Sequence, residues 1–463
     1  MSVVTSNLSE VQKKKLLFLL GHVRLHLLYK ASVHGFTAAA FHRRCEKQGP
    51  TVIVAYNAAG FVFGAYTSQD YTESEEQVHD EEAFLYSINA RVDKPLRVAG
   101  ISGQPAFTAK EDTGPNYGAL VFLQDNEPKI QSNPGTGFTF EKAAMHGDNL
   151  ALTEFEVYRV EGLGGLLAKP WRNIQWTPER KQQLMKTIQS YRPDNKSVHQ
   201  ARVLLVGPVG AGKSTFFNSI NSVFRGNMTS QAITGTAGKS LTTQFRSYTI
   251  KAGKGGEVVP LILCDTMGLE ENADSGLDTE DLINIYKGHI KDRYQFSSSN
   301  PLQADAPGFK KKATLNDMIH CVVYMVDTCK VSLLTQKMLQ KFASIRKKTN
   351  QLGIPQILLM TKVDEACPLV AEDLQNVYRS VYIQRKAREL SESLGIPLSC
   401  VLPVKSYSEE LELVRDVNIL LLTAVEQMLN YSDSFFENQE GTDQPDLYRS
   451  QELNRPVLTQ NGN

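Results

Sequence analysis

Cysteine is sparse and unpatterned in this chain. The six residues Cys45, Cys264, Cys321, Cys329, Cys367 and Cys400 form no C-x-x-C pair and no zinc-site spacing. A disulfide scaffold and a cysteine metal centre are thereby excluded, and a reduced intracellular compartment is expected. A surplus of either charge is also missing, because 50 Lys+Arg balance 50 Asp+Glu. Bulk electrostatic attraction to DNA or to an anionic membrane is therefore not expected. No apolar run approaches the roughly 20 residues of a membrane span. The nearest, Leu16-Leu-Phe-Leu-Leu20 behind Lys13-Lys-Lys15, breaks at His22, Arg24 and His26 and is followed by no small-residue cleavage site. It reads as an amphipathic helix rather than a leader. The C-terminal Asn-Gly-Asn offers no lipidation signal.

What is present points to several domains, as 463 residues suggest. The first region, 1–165, holds short strand-like runs such as Thr51-Val-Ile-Val-Ala-Tyr56, Phe61-Val-Phe-Gly-Ala-Tyr66, Ala119-Leu-Val-Phe-Leu123 and Phe155-Glu-Val-Tyr-Arg-Val160. Gly, Asn and Asp punctuate them, which predicts a mainly β module of α+β type, with Asn57-Ala-Ala-Gly60 as a hairpin connection. A helical connector, 166–200, follows; Thr177 caps a helix opened by Pro178 and Glu179 and ending near Tyr191-Arg-Pro193. From 201 to 431 apolar strands alternate with helical stretches, at 203–206, 261–264, 321–326, 357–360 and 400–404. That alternation predicts an α/β domain with a mostly parallel sheet. Residues 432–463 are polar and aperiodic and are expected to be a disordered tail.

The densest chemistry lies at Gly207-Pro-Val-Gly210-Ala211-Gly212-Lys213-Ser214, directly after the run Val203-Leu-Leu-Val206 and before a helical stretch that opens with Thr215. The spacing G-x-x-x-x-G-K-S/T after a strand is a P-loop. Its glycines let backbone N–H groups turn toward a polyphosphate, Lys213 supplies a charge to the β- and γ-phosphates, and Ser214 offers a hydroxyl to Mg²⁺. Asp265, ending the strand Leu261-Ile-Leu-Cys264, can hold a Mg²⁺-bound water, and the Gly268 N–H can reach a γ-phosphate. A threonine should complete the Mg²⁺ shell; Thr242 is preferred to Thr243. Ser214 and Asp265 position a metal and form no catalytic dyad.

Base choice rests on Ile357-Leu-Leu-Met-Thr361-Lys362-Val-Asp364. A carboxylate at Asp364 accepts hydrogen bonds from guanine N1–H and the exocyclic amine, donors that adenine lacks on that edge. The aliphatic stem of Lys362 can lie across the base. The segment resembles the N-K-x-D motif of GTPases, with Thr361 in place of Asn. Lys405, in Val404-Lys405-Ser406, occupies the last base-facing loop. The ligands expected are GTP or GDP with Mg²⁺. Ras-like GTPases carry a water-orienting Gln directly after the D-x-x-G glycine; Leu269 stands there, so hydrolysis should be slow or assisted by a partner.

Other features read as structure. Lys310-Lys-Lys312 lies in a Pro/Gly-containing insert without aromatic interleaving and is expected to be a solvated loop. His26, His34 and His320 stand beside apolar residues and should be packed or capped.

The chain also resembles the interferon-induced protein 44 family, including its 44-like branch. The residues that carry the likeness are Leu27-Leu-Tyr-Lys-Ala-Ser-Val-His-Gly35, Phe155-Glu-Val-Tyr-Arg-Val-Glu161, Tyr191-Arg-Pro193, the P-loop, Leu263-Cys-Asp-Thr-Met-Gly-Leu269 and Asp292-Arg-Tyr-Gln-Phe296. The first region is similar to a TLDc domain, a β-sandwich module. The resemblance implies protein interaction there, with no catalytic residues to carry over; self-association through the G domain is a separate expectation, tied to the assembling-GTPase reading. It further implies a cytoplasmic, interferon-inducible GTP-binding protein of innate antiviral defence. Two functions are consistent with this: a slow GTPase switch, or a scaffold that holds guanine nucleotide structurally and acts through the TLDc-like domain.

Overall fold

Ser9 and Gln12 open the first helix reciprocally: the Gln12 amide N–H donates to Ser9 Oγ at 3.3 Å, and the Ser9 N–H donates to Gln12 Oε1 at 2.9 Å. This helix, α1 (Glu10–Leu20), buries Leu16 and leaves Phe18 exposed. It stops at Gly21, whose φ of +79° suits glycine. The computed structural model describes residues 4–72, 77–89, 94–108, 110, 113–232, 243–270, 277–297 and 301–440. The chain divides between Gly164 and Gly165 into two units.

Strand β1 (Val23–Lys30) leads the first unit. Its alternation of Arg24 and His26 with Leu25 and Leu27 is a strand pattern that begins where the helical reading of Leu16–Leu20 breaks off. With β2 (Thr51–Asn57), β3 (Val62–Thr67), β4 (Phe84–Ser87), β5 (Leu96–Ala99) and β6 (Leu152–Gly162) it forms a sheet of order β1-β6-β2-β3-β4-β5. Every pairing in this sheet is antiparallel. β2 is apolar on both faces because both are covered. Ile53 and Ala55 join Phe63, Phe155 and Val157 on one side, where Leu120, Phe122 and Ile130 of a two-stranded ribbon pack; Val52 and Val54 join Tyr158, Val160 and Leu16 on the other. The expected hairpin forms, with Asn57 Oδ1 accepting the Phe61 N–H at 3.0 Å.

The second unit begins with α2 (Pro178–Ser190), capped by Thr177, whose Oγ1 accepts the Arg180 N–H at 3.2 Å. Leu184 and Ile188 of this helix belong to the same core as the strands that follow. Those strands are β7 (Ala201–Val206), β8 (Arg246–Lys251), β9 (Val258–Asp265), β10 (Cys321–Asp327), β11 (Gln356–Thr361) and β12 (Val401–Pro403), in the order β8-β9-β7-β10-β11-β12. All pairings are parallel except β8 with β9. Helix α3 (Lys213–Arg225) covers one face with Phe216, Phe217 and Ile220 against Val203, Leu205 and Val323. Further along, α4 (Thr279–Tyr286), α5 (Gln336–Gln351) and α6 (Val381–Leu394) follow β9, β10 and β11. On α5, Phe342 meets Tyr324 of β10 edge-on, with ring centroids 5.9 Å apart.

The last helix, α7 (Arg415–Glu440), corrects one expectation. Residues 432–440, read as the start of a disordered tail, continue this helix, and Phe435 and Phe436 are fully buried. Residues 441–463 lie outside the described residues. The reason for the extension is His320: its ring packs on both phenylalanines, at centroid distances of 5.7 and 4.6 Å. The imidazole is satisfied as a neutral group, accepting the Arg202 N–H at Nδ1 and donating from Nε2 to Leu315 O. His26 and His34 are also partnered, by Glu161 and the Lys30 N–H. Lys310 is paired with Asp317 at 2.6 Å. Among the described residues no helix is long and apolar enough to cross a membrane.

Burial lowers the His320 pKa to about 4. The folded state therefore binds fewer protons than the unfolded chain between about pH 4 and 6.5, so this stabilisation is complete above about 6.5 and is lost as pH falls toward 4. The shift corresponds to about 3 kcal/mol. Urea unfolding of wild type should lose stability over that window, and His320→Asn should flatten the slope. Identical pH slopes would show that His320 does not carry the effect.

Candidate functional site

Two loops and a strand end meet at the carboxyl edge of the second sheet. β7 runs into the P-loop because Gly207 must pass close to β10: a Cβ there would lie 2.3 Å from Met325 O. Gly210 and Gly212 have φ of +79° and +87°, backbone that side-chain-bearing residues avoid, and this turns the loop into the first turn of α3. Ala211 is buried, and its N–H donates to Pro208 O at 3.2 Å. Thr215 lies in the first helical turn, its carbonyl accepting the Ser219 hydroxyl.

Lys213 points back into this loop. Its ammonium donates to Gly207 O at 3.0 Å and Pro208 O at 3.2 Å, and the side chain is buried. Burial lowers its pKa, and the Asp265 carboxylate opposes that shift. Asp265 ends β9 with 1% of its surface exposed. Oδ2 accepts the Ser214 hydroxyl at 2.7 Å, while Oδ1 has no hydrogen-bond partner among the described residues. Burial raises the Asp265 pKa, against Lys213, Ser214 and the Thr266 backbone.

The segment after Asp265 is laced to the P-loop by its backbone. The Leu269 N–H donates to Gly207 O at 3.0 Å, and the Val209 N–H donates to Leu269 O at 3.4 Å. Gly268 lies so near Val209 that a Cβ would come within 2.7 Å of its side chain. The Leu269 side chain is itself buried, at 2% exposure. Thr242 lies outside the described residues; Thr243 is exposed, and its carbonyl accepts the Phe296 N–H.

On the other side, β11 delivers Thr361. Its buried hydroxyl shares one proton between Ala211 O at 2.9 Å and Val326 O at 3.2 Å. The substitution of Thr for Asn thus keeps a link between this segment and the P-loop. Lys362 adopts a left-handed conformation and pairs with Asp327 at 3.2 Å and Glu365 at 3.7 Å. Against burial, which lowers it, Asp327 and Glu365 hold the Lys362 pKa above the ordinary lysine value. Asp364 is paired with Lys405 at 3.1 Å, and Lys405 in turn with Glu410 at 2.9 Å.

Sequence reasoning missed Asp327, Lys330 and Glu410. Asp327 had a legible signal, since it ends the apolar strand β10 just as Asp265 ends β9. Glu410 had none, because its relevance depends on the path of the loop after β12.

Two family models match the chain, TLDc domain over residues 2–161 and 50S ribosome-binding GTPase over residues 202–362. The human interferon-induced protein 44-like is 34% identical over 440 residues, covering 94% of this chain and 96% of that one. Human interferon-induced protein 44 is 31% identical over 441 residues, covering 94% and 95%. A solved structure of Toc33 from Arabidopsis thaliana, in complex with Mg²⁺ and GMPPNP, is similar at a TM-score of 0.33 and 14% identity, over 56% of this chain and 97% of that one.

Thr361→Val keeps the side-chain shape and removes the shared proton. Leaving buried carbonyls without it should cost about 1–2 kcal/mol. Chemical denaturation reads this directly, and an unchanged midpoint would mean that the bond does not tie β11 to the loop.

Proposed function

The chain belongs to the interferon-induced protein 44 family, and from that premise we propose that it is an interferon-induced guanine-nucleotide-binding protein whose second unit is a slow GTP-hydrolysing switch. The observation that carries the reading is the convergence of Lys213, Asp265 and the Thr361–Asp364 segment at one sheet edge, with Thr361 joined to Ala211. In this reading the N–H groups of Gly210, Gly212, Ser214 and Thr215 surround the polyphosphate, and Lys213 exchanges its loop carbonyls for phosphate oxygens. Asp364 selects guanine, and Lys362 covers the base. Lys405 holds the Asp364 carboxylate in place and is itself paired with Glu410.

Ser214 and Asp265 fit a magnesium ion. The test is Asp265 Oδ1, a buried carboxylate oxygen with no partner among the described residues, beside a hydroxyl of the residue type and position that such an ion takes. When bound, the ion neutralises charge on the β- and γ-phosphates.

Slow turnover follows from Leu269. A buried aliphatic side chain cannot orient water. The same observation favours a second reading, a scaffold that keeps guanine nucleotide without hydrolysing it and acts through the TLDc-like unit. In either reading we place the protein in the cytoplasm, in antiviral defence, with protein partners for the first unit and self-association through the second; family membership supports these assignments.

Single-turnover hydrolysis of GTP by the purified chain separates the readings. The switch predicts slow turnover that rises with protein concentration; negligible, concentration-independent turnover favours the scaffold. A rate of several per second would contradict both. Lys213→Ala should abolish GTP binding in a fluorescence titration, and unchanged affinity would remove the P-loop from the account.

A further inference from the structure

Lys330 stands in the short helical turn Thr328–Leu333 that follows β10. Because β10 lies next to β7 in the sheet, this turn emerges beside the P-loop. The Lys330 ammonium lies beside the loop: a Cβ built on Gly210 would lie 3.7 Å from Lys330 Nζ. We propose that Lys330 is a second phosphate-contacting cation of the nucleotide site, acting on the polyphosphate together with Lys213. This rests on the guanine-nucleotide reading above.

The way Lys330 is held separates it from an ordinary solvated lysine. Among the described residues its ion-pair partner is Asp327, at a loose 3.9 Å. That carboxylate is already committed: Oδ2 lies 3.2 Å from the Lys362 ammonium, and Oδ1 accepts the Cys329 N–H at 2.9 Å. Asp327 is therefore positioned to keep Lys330 near the loop without holding it there. The Lys330 side chain is 59% exposed, so it can turn from Asp327 to an incoming anion at little desolvation cost. Lys362 shares the carboxylate but is bound closer and starts from a constrained backbone, so it stays with the base segment.

The chemistry of the site gives such a cation work to do. Bound nucleoside diphosphate or triphosphate brings several negative charges to a loop where Lys213 is balanced in part by Asp265. In hydrolysis water attacks the γ-phosphorus, the bond to the β–γ bridging oxygen breaks, and the electron pair passes to the departing diphosphate; inorganic phosphate and a proton complete the products. Lys330 near Gly210 would stabilise the charge that builds on the β-phosphate oxygens, a role that partner-supplied arginines fill in other GTPases.

The test uses the full chain with Lys330→Ala, Lys330→Glu and Lys330→Arg, titrated with GDP and with GTP at low ionic strength. Lys330→Ala should weaken both nucleotides about tenfold, in keeping with one charge-assisted contact at a partly solvated position. Lys330→Glu should weaken them further and Lys330→Arg should restore them. At saturating GTP, the single-turnover rate of Lys330→Ala should fall as well. Thermal unfolding of the nucleotide-free variants should match wild type, which separates phosphate contact from a folding role. Wild-type-like affinity of Lys330→Ala for both nucleotides would overturn this inference alone. Failure of wild type to bind either nucleotide would overturn it together with the P-loop reading.

Discussion

Burial of Lys213 and Asp265 at one edge of a parallel sheet is the constraint on which the rest of the second unit depends. Each is almost inaccessible to water, each has its pKa pushed toward the neutral form by burial, and each offsets the other only in part. Loop carbonyls satisfy the ammonium, and one carboxylate oxygen is met by Ser214, while the other has no hydrogen-bond partner among the described residues. Such an arrangement is costly in an empty protein and is relieved by a ligand that brings an anion to the lysine and a cation to the carboxylate. A magnesium-bound nucleotide brings both.

The surrounding fold keeps those charges where they are. Gly207 lets β7 approach β10 closely enough to begin the loop, and the Leu269 backbone ties the stretch after Asp265 to its far side. Thr361 ties β11 to its centre. Three strand ends are thus joined through one loop, so a change at the base segment and a change at the phosphate segment are felt by the same backbone. The buried Asp327 carboxylate joins Lys330 and Lys362 into a second polar cluster beside the loop.

Much of the second unit was legible because strands buried on both faces are continuous apolar runs, and a P-loop has a fixed place between strand and helix. The assignments at 203–206, 261–264 and 357–360 fall within β7, β9 and β11 for that reason. β1 was missed because its polar alternate residues, Arg24 and His26, looked like the end of an apolar helix. The continuation of α7 past residue 432 was missed because the partner of Phe435 and Phe436 is His320, more than a hundred positions earlier. Thr361 read as a lost amide, yet its hydroxyl is long enough to reach Ala211. Lys330 and Glu410 matter through loop paths that no local pattern encodes, and Thr242 lies outside the described residues.

Calorimetric titration of the purified chain with GTP, in the presence and absence of Mg²⁺ and with ATP as the control, addresses the central claim most directly. If Asp265 and Ser214 hold the metal and Asp364 reads the base, Mg²⁺ should tighten GTP binding by about tenfold or more, and ATP should bind far more weakly than GTP. Equal GTP affinity with and without Mg²⁺, or ATP binding as tightly as GTP, would contradict the account.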